Sequence, residues 1–214
     1  MGSLGEALRL AADEGLPWDL DEKQSISKHL PKDANRRTVF DRHSVAAIQL
    51  MLLTGARVQE ILKLEWLHVD WDRGMLHLPD SKTGRKTIVL GRSSLAILEN
   101  LPRVGRYVIA SSSAGMLDEK PRADVNRLWR AIRTWAGLDG VRLHDLRHTA
   151  AAVGAGQGLS LHMIGQLLGH SQPSTTKRYA HLAADPQRRA ADLIGSKVAA
   201  ALGLETTDSL SIET

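Results

Sequence analysis

The sequence predicts an α+β domain, mostly α-helical, with a small three-stranded antiparallel sheet. Two patterns carry that expectation. Through most of the chain apolar residues recur at helical spacing, three or four apart. Between Val69 and Leu90 the pattern changes to alternation, interrupted by turn signals at Asp72-Arg73-Gly74 and Asp80-Ser81-Lys82-Thr83-Gly84.

In chain order, Leu4 to Ala12 reads as the last turns of a helix, stopped near Gly15 and Pro17. Residues 19–40 are polar, mixed in charge and interrupted by Pro31, as expected of a linker. A helix is predicted over Arg42–Leu53 with Val45, Ile48, Leu52 and Leu53 turned inward. Thr54-Gly55 breaks it, and a second helix over Ala56–Leu64 carries Arg57 and Glu60, with Ile61, Leu62 and Leu64 facing the core. Val69–Pro79 then forms a hairpin, and Arg85–Leu90 a third strand with Ile88 and Leu90 on one side. A short helix near Ser94–Leu101 precedes a buried extended piece, Tyr107-Val108-Ile109. Pro121 opens a helix over Arg122–Trp135, with Val125, Leu128, Trp129, Ile132 and Trp135 as its core stripe and Gly137 beyond its end. Arg127, Arg130 and Arg133 recur on another face. That row is either a contact for a nucleic-acid backbone or a solvated charged face.

The stretch from Leu143 to Leu182 is the densest in chemistry. His144 and Arg147 are three apart, so a helix places them on one face. Gly154 to Gly158 reads as a helix-breaking run, and Ser160 as the N-cap of a helix carrying Leu161, Ile164, Leu167 and Leu168. That helix stops at Gly169-His170. Ser174, Thr175 and Thr176 then offer caps for a last helix bearing Tyr179. Two cationic or proton-carrying groups, a further histidine and a phenol can thus converge on one anion.

Composition narrows the function classes. The chain has 214 residues and no cysteine, which excludes disulfides and thiolate metal sites. No apolar run approaches a membrane span of roughly 20 residues, and no basic-then-apolar leader precedes a cleavage signal. A cytoplasmic protein without a membrane partner is the expectation. The net charge of +4 is unevenly spread: residues 41–182 hold nineteen Lys/Arg against twelve Asp/Glu, residues 1–40 six against seven, and residues 183–214 three against five. A basic middle between acidic ends suits a body facing a polyanion, although an arginine-rich surface alone gives the same numbers.

The motifs resemble those of the tyrosine recombinases, the phage-integrase family. The matching pieces are Thr54-Gly-Ala-Arg57-Val-Gln-Glu60-Ile-Leu, Ser81-Lys82-Thr83-Gly84, His144-x-x-Arg147, Leu168-Gly169-His170, and Tyr179 nine residues after that histidine. Each alone is weak; in this order and at these separations they are specific. The resemblance covers about residues 40–182 and implies a helical catalytic domain there. Residues 1–40 are then a tail or linker, either the end of a DNA-clasping domain outside this sequence or a native N-terminal tail. Residues 183–214 are expected to form a C-terminal helix and tail whose apolar stripe, Ala190, Leu193, Ile194, Val198, Ala201 and Leu202, either folds back on its own domain or is exchanged between subunits.

The function implied is site-specific DNA recombination, by an integrase of a phage or other mobile element, through a 3′-phosphotyrosyl intermediate. A chromosome-dimer resolvase, a transposon recombinase, or a non-catalytic DNA-binding module that keeps the fold are the alternatives. By resemblance, Tyr179 is the nucleophile and Arg57 and Arg147 clamp the phosphate oxygens. His170 adds a hydrogen bond, Lys82 protonates the departing 5′-oxygen, and His144 assists proton transfer. Arginine suits the clamp because its planar fork matches two phosphate oxygens and stays charged. Glu60 is expected to orient Arg57, though an ordinary surface ion pair at i, i+3 fits the same spacing. His148, His162 and His181 are taken as structural or exposed, with His148 able to hydrogen-bond near Arg147, and Tyr107 as core. No His/Asp/Glu set has metal-ligand spacing, so neither a cofactor nor a metal is expected. The partners expected are double-stranded DNA, further copies of this chain in a tetrameric synapse, and accessory DNA-bending proteins.

Overall fold

The computed structural model describes residues 4–13, 16–17, 37–38, 40–81, 84–169, 176–182, 191, 194–196 and 198. Helix α1 (Leu4–Asp13) is followed by the two-residue strands β1 (Leu16–Pro17) and β2 (Arg37–Thr38), which pair antiparallel. Ala7, Leu8 and Ala11 of α1 are buried in the main core. The start of the chain, expected as tail and linker, therefore contributes to the packed body.

Helix α2 (Arg42–Thr54) is the central element. Asp41 caps its start, accepting from the Ser44 backbone N–H at 3.0 Å and the Ser44 hydroxyl at 2.7 Å. Gly55 ends it with φ +64°, its N–H donating to the Met51 carbonyl. Val45, Ile48, Leu50 and Met51 are buried, but Leu53, expected inside, is 48 % exposed. The core lies on the Val45–Ile48–Met51 side, and Leu53 falls past its edge. Helix α3 (Val58–Leu62) is shorter than expected because Arg57 is its N-cap residue, with extended backbone, rather than part of the helix.

The predicted sheet is present, in the order β3 (Val69–Asp70), β4 (Met75–Ser81) and β5 (Gly84–Val89), all antiparallel. Leu76 faces Ile88 and Leu78 faces Lys86, so this row, buried against the helices, includes a lysine. Helix α4 (Arg92–Glu99) follows. The Tyr107–Ile109 piece is buried as expected, but only Tyr107 bridges to Glu65 and the next two residues bend, with Val108 N–H donating to the Leu64 carbonyl at 2.8 Å.

Helix α5 (Asn126–Trp135) begins four residues later than Pro121 suggested. Arg122 instead reaches back to the Ala110 carbonyl and to Asp41, at 2.9 Å each, which ties its segment to the start of α2. Asp124 accepts from the Asn126 N–H, so the chain turns before helical bonding starts.

Helix α6 (Asp145–Gly156) runs through Gly154, which the sequence read as a breaker. Each helical glycine costs about 1 kcal/mol relative to alanine. Packing offsets that cost, because Ala151 and Ala155 join Ile164, Leu168 and Tyr179 in a second small core. Gly158, at φ +84°, makes the turn into α7 (Leu161–Leu168). Ser160 caps α7 as expected, accepting from the Met163 N–H, and Gly169 ends it in the left-handed region. A short 3-10 helix, Lys177–Leu182, carries Tyr179. Among the described residues no helix is long and apolar enough to cross a membrane.

Gly55 joins these parts. A Cβ added there would lie 2.3 Å from the Leu168 side chain, on a backbone that L-residues rarely adopt. Gly55→Ala is expected to lower stability by about 2–4 kcal/mol, the sum of left-handed strain and overpacking. A shift in the urea unfolding midpoint at unchanged slope measures it.

Candidate active site

The chain leaves α2 at Gly55 and turns into α3 with Arg57 at the corner. Both Glu60 oxygens serve that corner: Oε2 accepts from the Arg57 backbone N–H and Oε1 from its guanidinium, at 2.8 Å each. A third donor, the Nζ of Lys86 on β5, reaches Oε2 at 2.8 Å. The Glu60 and Lys86 side chains are each only 5 % exposed, so this is a buried ion pair. Burial alone would raise the Glu60 pKa. Hydrogen bonds from Lys86 and Arg57 and the Lys86 charge overcome burial and hold it below its ordinary 4.5. Lys86 is pushed down by burial, opposed by Glu60, with the charges of Arg147 and Arg57 adding to the push. The surface-pair reading of Arg57 and Glu60 fails for this reason. The carboxylate is the buried counter-charge of several cations.

Arg147, on α6, is 4 % exposed. Its guanidinium donates to the Gly55 carbonyl at 2.6 Å and the Leu168 carbonyl at 2.7 Å, both at helix C-termini, where the backbone dipole favours a cation. Burial lowers its pKa, and the Arg57 charge adds to that effect. The Arg57 side chain is 25 % exposed. Two cationic forks from positions ninety residues apart thus sit around one short backbone corner, Arg57 opening to solvent and Arg147 beneath.

Tyr179 is 5 % exposed, its ring in the small core of α6 and α7. Gly165 brings the segment close, since a Cβ there would sit 3.0 Å from the Thr176 hydroxyl. The phenol oxygen lies 2.5 Å from His148 Nδ1. Burial raises the Tyr179 pKa above 10.0, while the charges of Arg178 and Arg147 pull it back. His144, expected to share a face with Arg147, is exposed and just precedes α6. Its ring meets that of His148 edge-on at 5.1 Å between centroids. A cleft of about 650 Å³, lined by Asp139, Asp145, His148, Arg178 and Tyr179 among others, opens beside the phenol.

Lys82 and His170 lie outside the described residues. The Ser81–Gly84 pairing brackets Lys82, and Gly169 places the chain just before His170. In the α5 row, Arg127 and Arg130 are exposed, but Arg133 is half-buried and donates to the Val141 carbonyl at 3.3 Å. It closes a loop instead of extending the row. Tyr107 is buried, with its hydroxyl against Arg106.

Two residues of the site were missed from sequence. Lys86 is in phase with Ile88 and Leu90, which were placed inward, so strand alternation already carried the signal. His148 was set aside as structural, although it stands one helical turn after His144.

Residues 20–185 match the sequence model of the phage integrase family, and the chain belongs to that family. Among individual proteins, the tyrosine recombinase XerD of Yersinia pestis is 28 % identical over 183 residues, covering 81 % of this chain and 60 % of the relative. The integrase of Salmonella phage P22 is 29 % identical over 205 residues, covering 83 % and 52 %. The chain thus spans between half and two thirds of these relatives. A solved lambda integrase dimer bound to a COC′ core site shares the fold, with a TM-score of 0.54 and 22 % identity over 87 % of this chain and 48 % of that one.

The Glu60 carboxyl makes a testable contribution to stability. Its pKa is lower folded than unfolded, so its stabilisation is full above the unfolded value near 4.5 and is lost as pH falls through the folded value. Glu60→Gln should flatten that acid limb and cost about 3 kcal/mol at pH 7, because it leaves Lys86 buried without its counter-charge. Urea unfolding midpoints between about pH 7 and 3 check both.

Proposed function

We propose that this chain is the catalytic part of a site-specific DNA recombinase, the integrase of a phage or other mobile element. The observation that carries the reading is the convergence of Arg57, Arg147 and Tyr179, from α2–α3, α6 and the last 3-10 helix, around Gly55 and Leu168. A DNA phosphodiester carries one negative charge, and attack at phosphorus builds a second. The two guanidiniums, each held by hydrogen bonds within the protein, supply positive charge for that transition state. Tyr179 Oη attacks, forming a 3′-phosphotyrosyl bond as the bond to the 5′-oxygen breaks. Lys82 supplies that oxygen with a proton, His170 adds a hydrogen bond to the phosphate, and Glu60 orients Arg57. The ester conserves the energy of the broken bond, so a second strand can be joined without ATP. A binding module that merely keeps the fold would have no use for a phenol held beside buried cations. Arg127 and Arg130 face outward on α5 and contact the duplex backbone in this reading.

Recombination also needs further copies of this chain. Ile194 and Val198 of the C-terminal stripe are 63 % and 50 % exposed. On the body, Leu53, Val89, Leu159 and Leu167, each more than 40 % exposed, rim a small apolar cavity between α2, β5, α6 and α7. These two surfaces match in chemistry, and we assign them to one contact between neighbouring subunits on DNA.

Tyr179→Phe removes one oxygen and no charge. Incubated with a pool of nicked duplexes randomised around the nick, the native chain should form a covalent adduct on a denaturing gel. The Phe variant should form none while binding DNA as before; an adduct from the Phe variant would remove the nucleophile assignment.

Ile194→Asp combined with Val198→Asp should leave the thermal midpoint unchanged and abolish cooperative assembly on DNA in gel-shift titrations. Unchanged cooperativity would separate the C-terminal stripe from subunit contact.

A further inference from the structure

The phenol that attacks phosphorus must lose its proton, and the site as described provides one group in contact with it. We infer that His148 is the proton acceptor for Tyr179, a catalytic residue of the reaction proposed above, on which this inference rests.

Geometry carries the assignment. His148 Nδ1 is 2.5 Å from Tyr179 Oη, a distance that places one proton between two heteroatoms on otherwise separate elements, α6 and the 3-10 helix. The ring of Tyr179 is locked among Ala151, Ala155, Ile164 and Leu168, so its oxygen has little freedom to leave the imidazole. His148 is half-buried, and its ring is braced edge-on by His144 at 5.1 Å. His144, to which proton transfer was first assigned, is thus one ring removed from the phenol, as a support for His148.

The direction of transfer follows from the surroundings. Burial lowers the His148 pKa below 6.5, and the charges of His144, Arg178 and Arg147 lower it further, with Asp145 alone opposing. The groups facing the imidazole are therefore His144 just before its helix, Asp145 and Arg147 on it, Arg178 and Tyr179 from the 3-10 helix, and Asp139 across the cleft. At neutral pH the imidazole is uncharged, and burial keeps the phenol protonated. Tyr179 then donates and Nδ1 accepts, leaving the imidazole hydrogen on Nε2.

In the cleavage step the Oη–H pair becomes the new Oη–P bond as its proton passes to Nδ1. The electron pair of the breaking P–O bond goes to the 5′-oxygen, which takes a separate proton from Lys82. In rejoining, the incoming 5′-hydroxyl gives its proton back to Lys82 as its oxygen attacks phosphorus, and the imidazolium returns its proton to Oη as the Oη–P bond breaks. No species is consumed. The imidazolium forms beside Asp145 and close to Arg178 and Arg147, a balance that makes it able to give the proton back.

The test separates proton transfer from mere positioning. His148→Asn places an amide oxygen near Nδ1 that can accept a hydrogen bond but cannot take the proton. With the randomised nicked pool, initial adduct formation at pH 7 should fall about a hundredfold relative to the native chain. Replacing Tyr179 by trifluorotyrosine, in a Tyr107→Phe background so that the label is unique, lowers the phenol pKa. It should restore at least about tenfold of that loss in the His148→Asn chain, as expected when proton transfer limits the rate, and change the His148-containing chain little. The native rate should also rise with pH and level off below 6.5, a limb that His148→Asn removes. A histidine tautomer measurement by nitrogen NMR on the native chain, without DNA, should show Nδ1 unprotonated. An adduct rate within threefold of native for His148→Asn overturns the assignment, as does a loss that fluorination does not repair or an Nδ1 that carries the proton at neutral pH. A native chain that forms no adduct overturns the recombinase reading and the inference together, so the two failures are told apart.

Discussion

One buried carboxylate organises the positive charge of this protein. Glu60 takes hydrogen bonds from the Arg57 backbone, the Arg57 guanidinium and Lys86, with Arg147 close enough to feel its charge. Three cations packed this closely repel one another, and burial deprives them of water. The arrangement holds because a single anion of depressed pKa sits among them. It also leaves positive charge in excess, which suits the corner to an incoming anion.

Backbone geometry sets where those cations point. Gly55 ends α2 in a conformation that L-residues avoid, offers its carbonyl to Arg147, and lets Leu168 approach because it has no Cβ. Gly169 does the same on the other side: its φ of +67° ends α7, and Lys86 fills the space that a Cβ would need. Both arginine motifs and the helix before His170 are thus joined by contacts in which side-chain volume is absent. Substitution there acts on geometry first and on chemistry through it.

Tyr179 is treated differently from the arginines. It is packed as a core residue, with Ala151, Ala155, Ile164 and Leu168 around the ring and only its oxygen engaged by a polar partner. A phenol in such surroundings is a poor acid, and the neighbouring charges of Arg178 and Arg147 only partly compensate. The site therefore stabilises the neutral phenol, and ionising it requires a specific proton acceptor.

Local patterns in the sequence determined most helix and strand elements, the cap at Ser160 and the three antiparallel strands, while the resemblance of its motifs singled out Arg57, Arg147 and Tyr179 as candidates. They could do so because periodicity, capping and the donor geometry of side chains act over a few residues. Where local rules met packing, packing prevailed: α6 continues through Gly154, Arg122 bonds to Asp41 instead of opening α5, and Leu53 faces solvent. Arg133 looked equivalent to Arg127 and Arg130 until the Val141 carbonyl arrived beside it. Lys86 was legible in principle from the 86, 88, 90 alternation, yet its partner Glu60 is 26 residues away. His148 and Tyr179 are 31 apart, on elements whose approach is set by the Gly165–Thr176 contact. Candidates for chemistry such as Arg57, Arg147 and Tyr179 were legible in the sequence; which groups share a proton or a counter-charge was decided by tertiary structure alone. Those interactions depend on distances of about 3 Å that only the packing of separate helices can set.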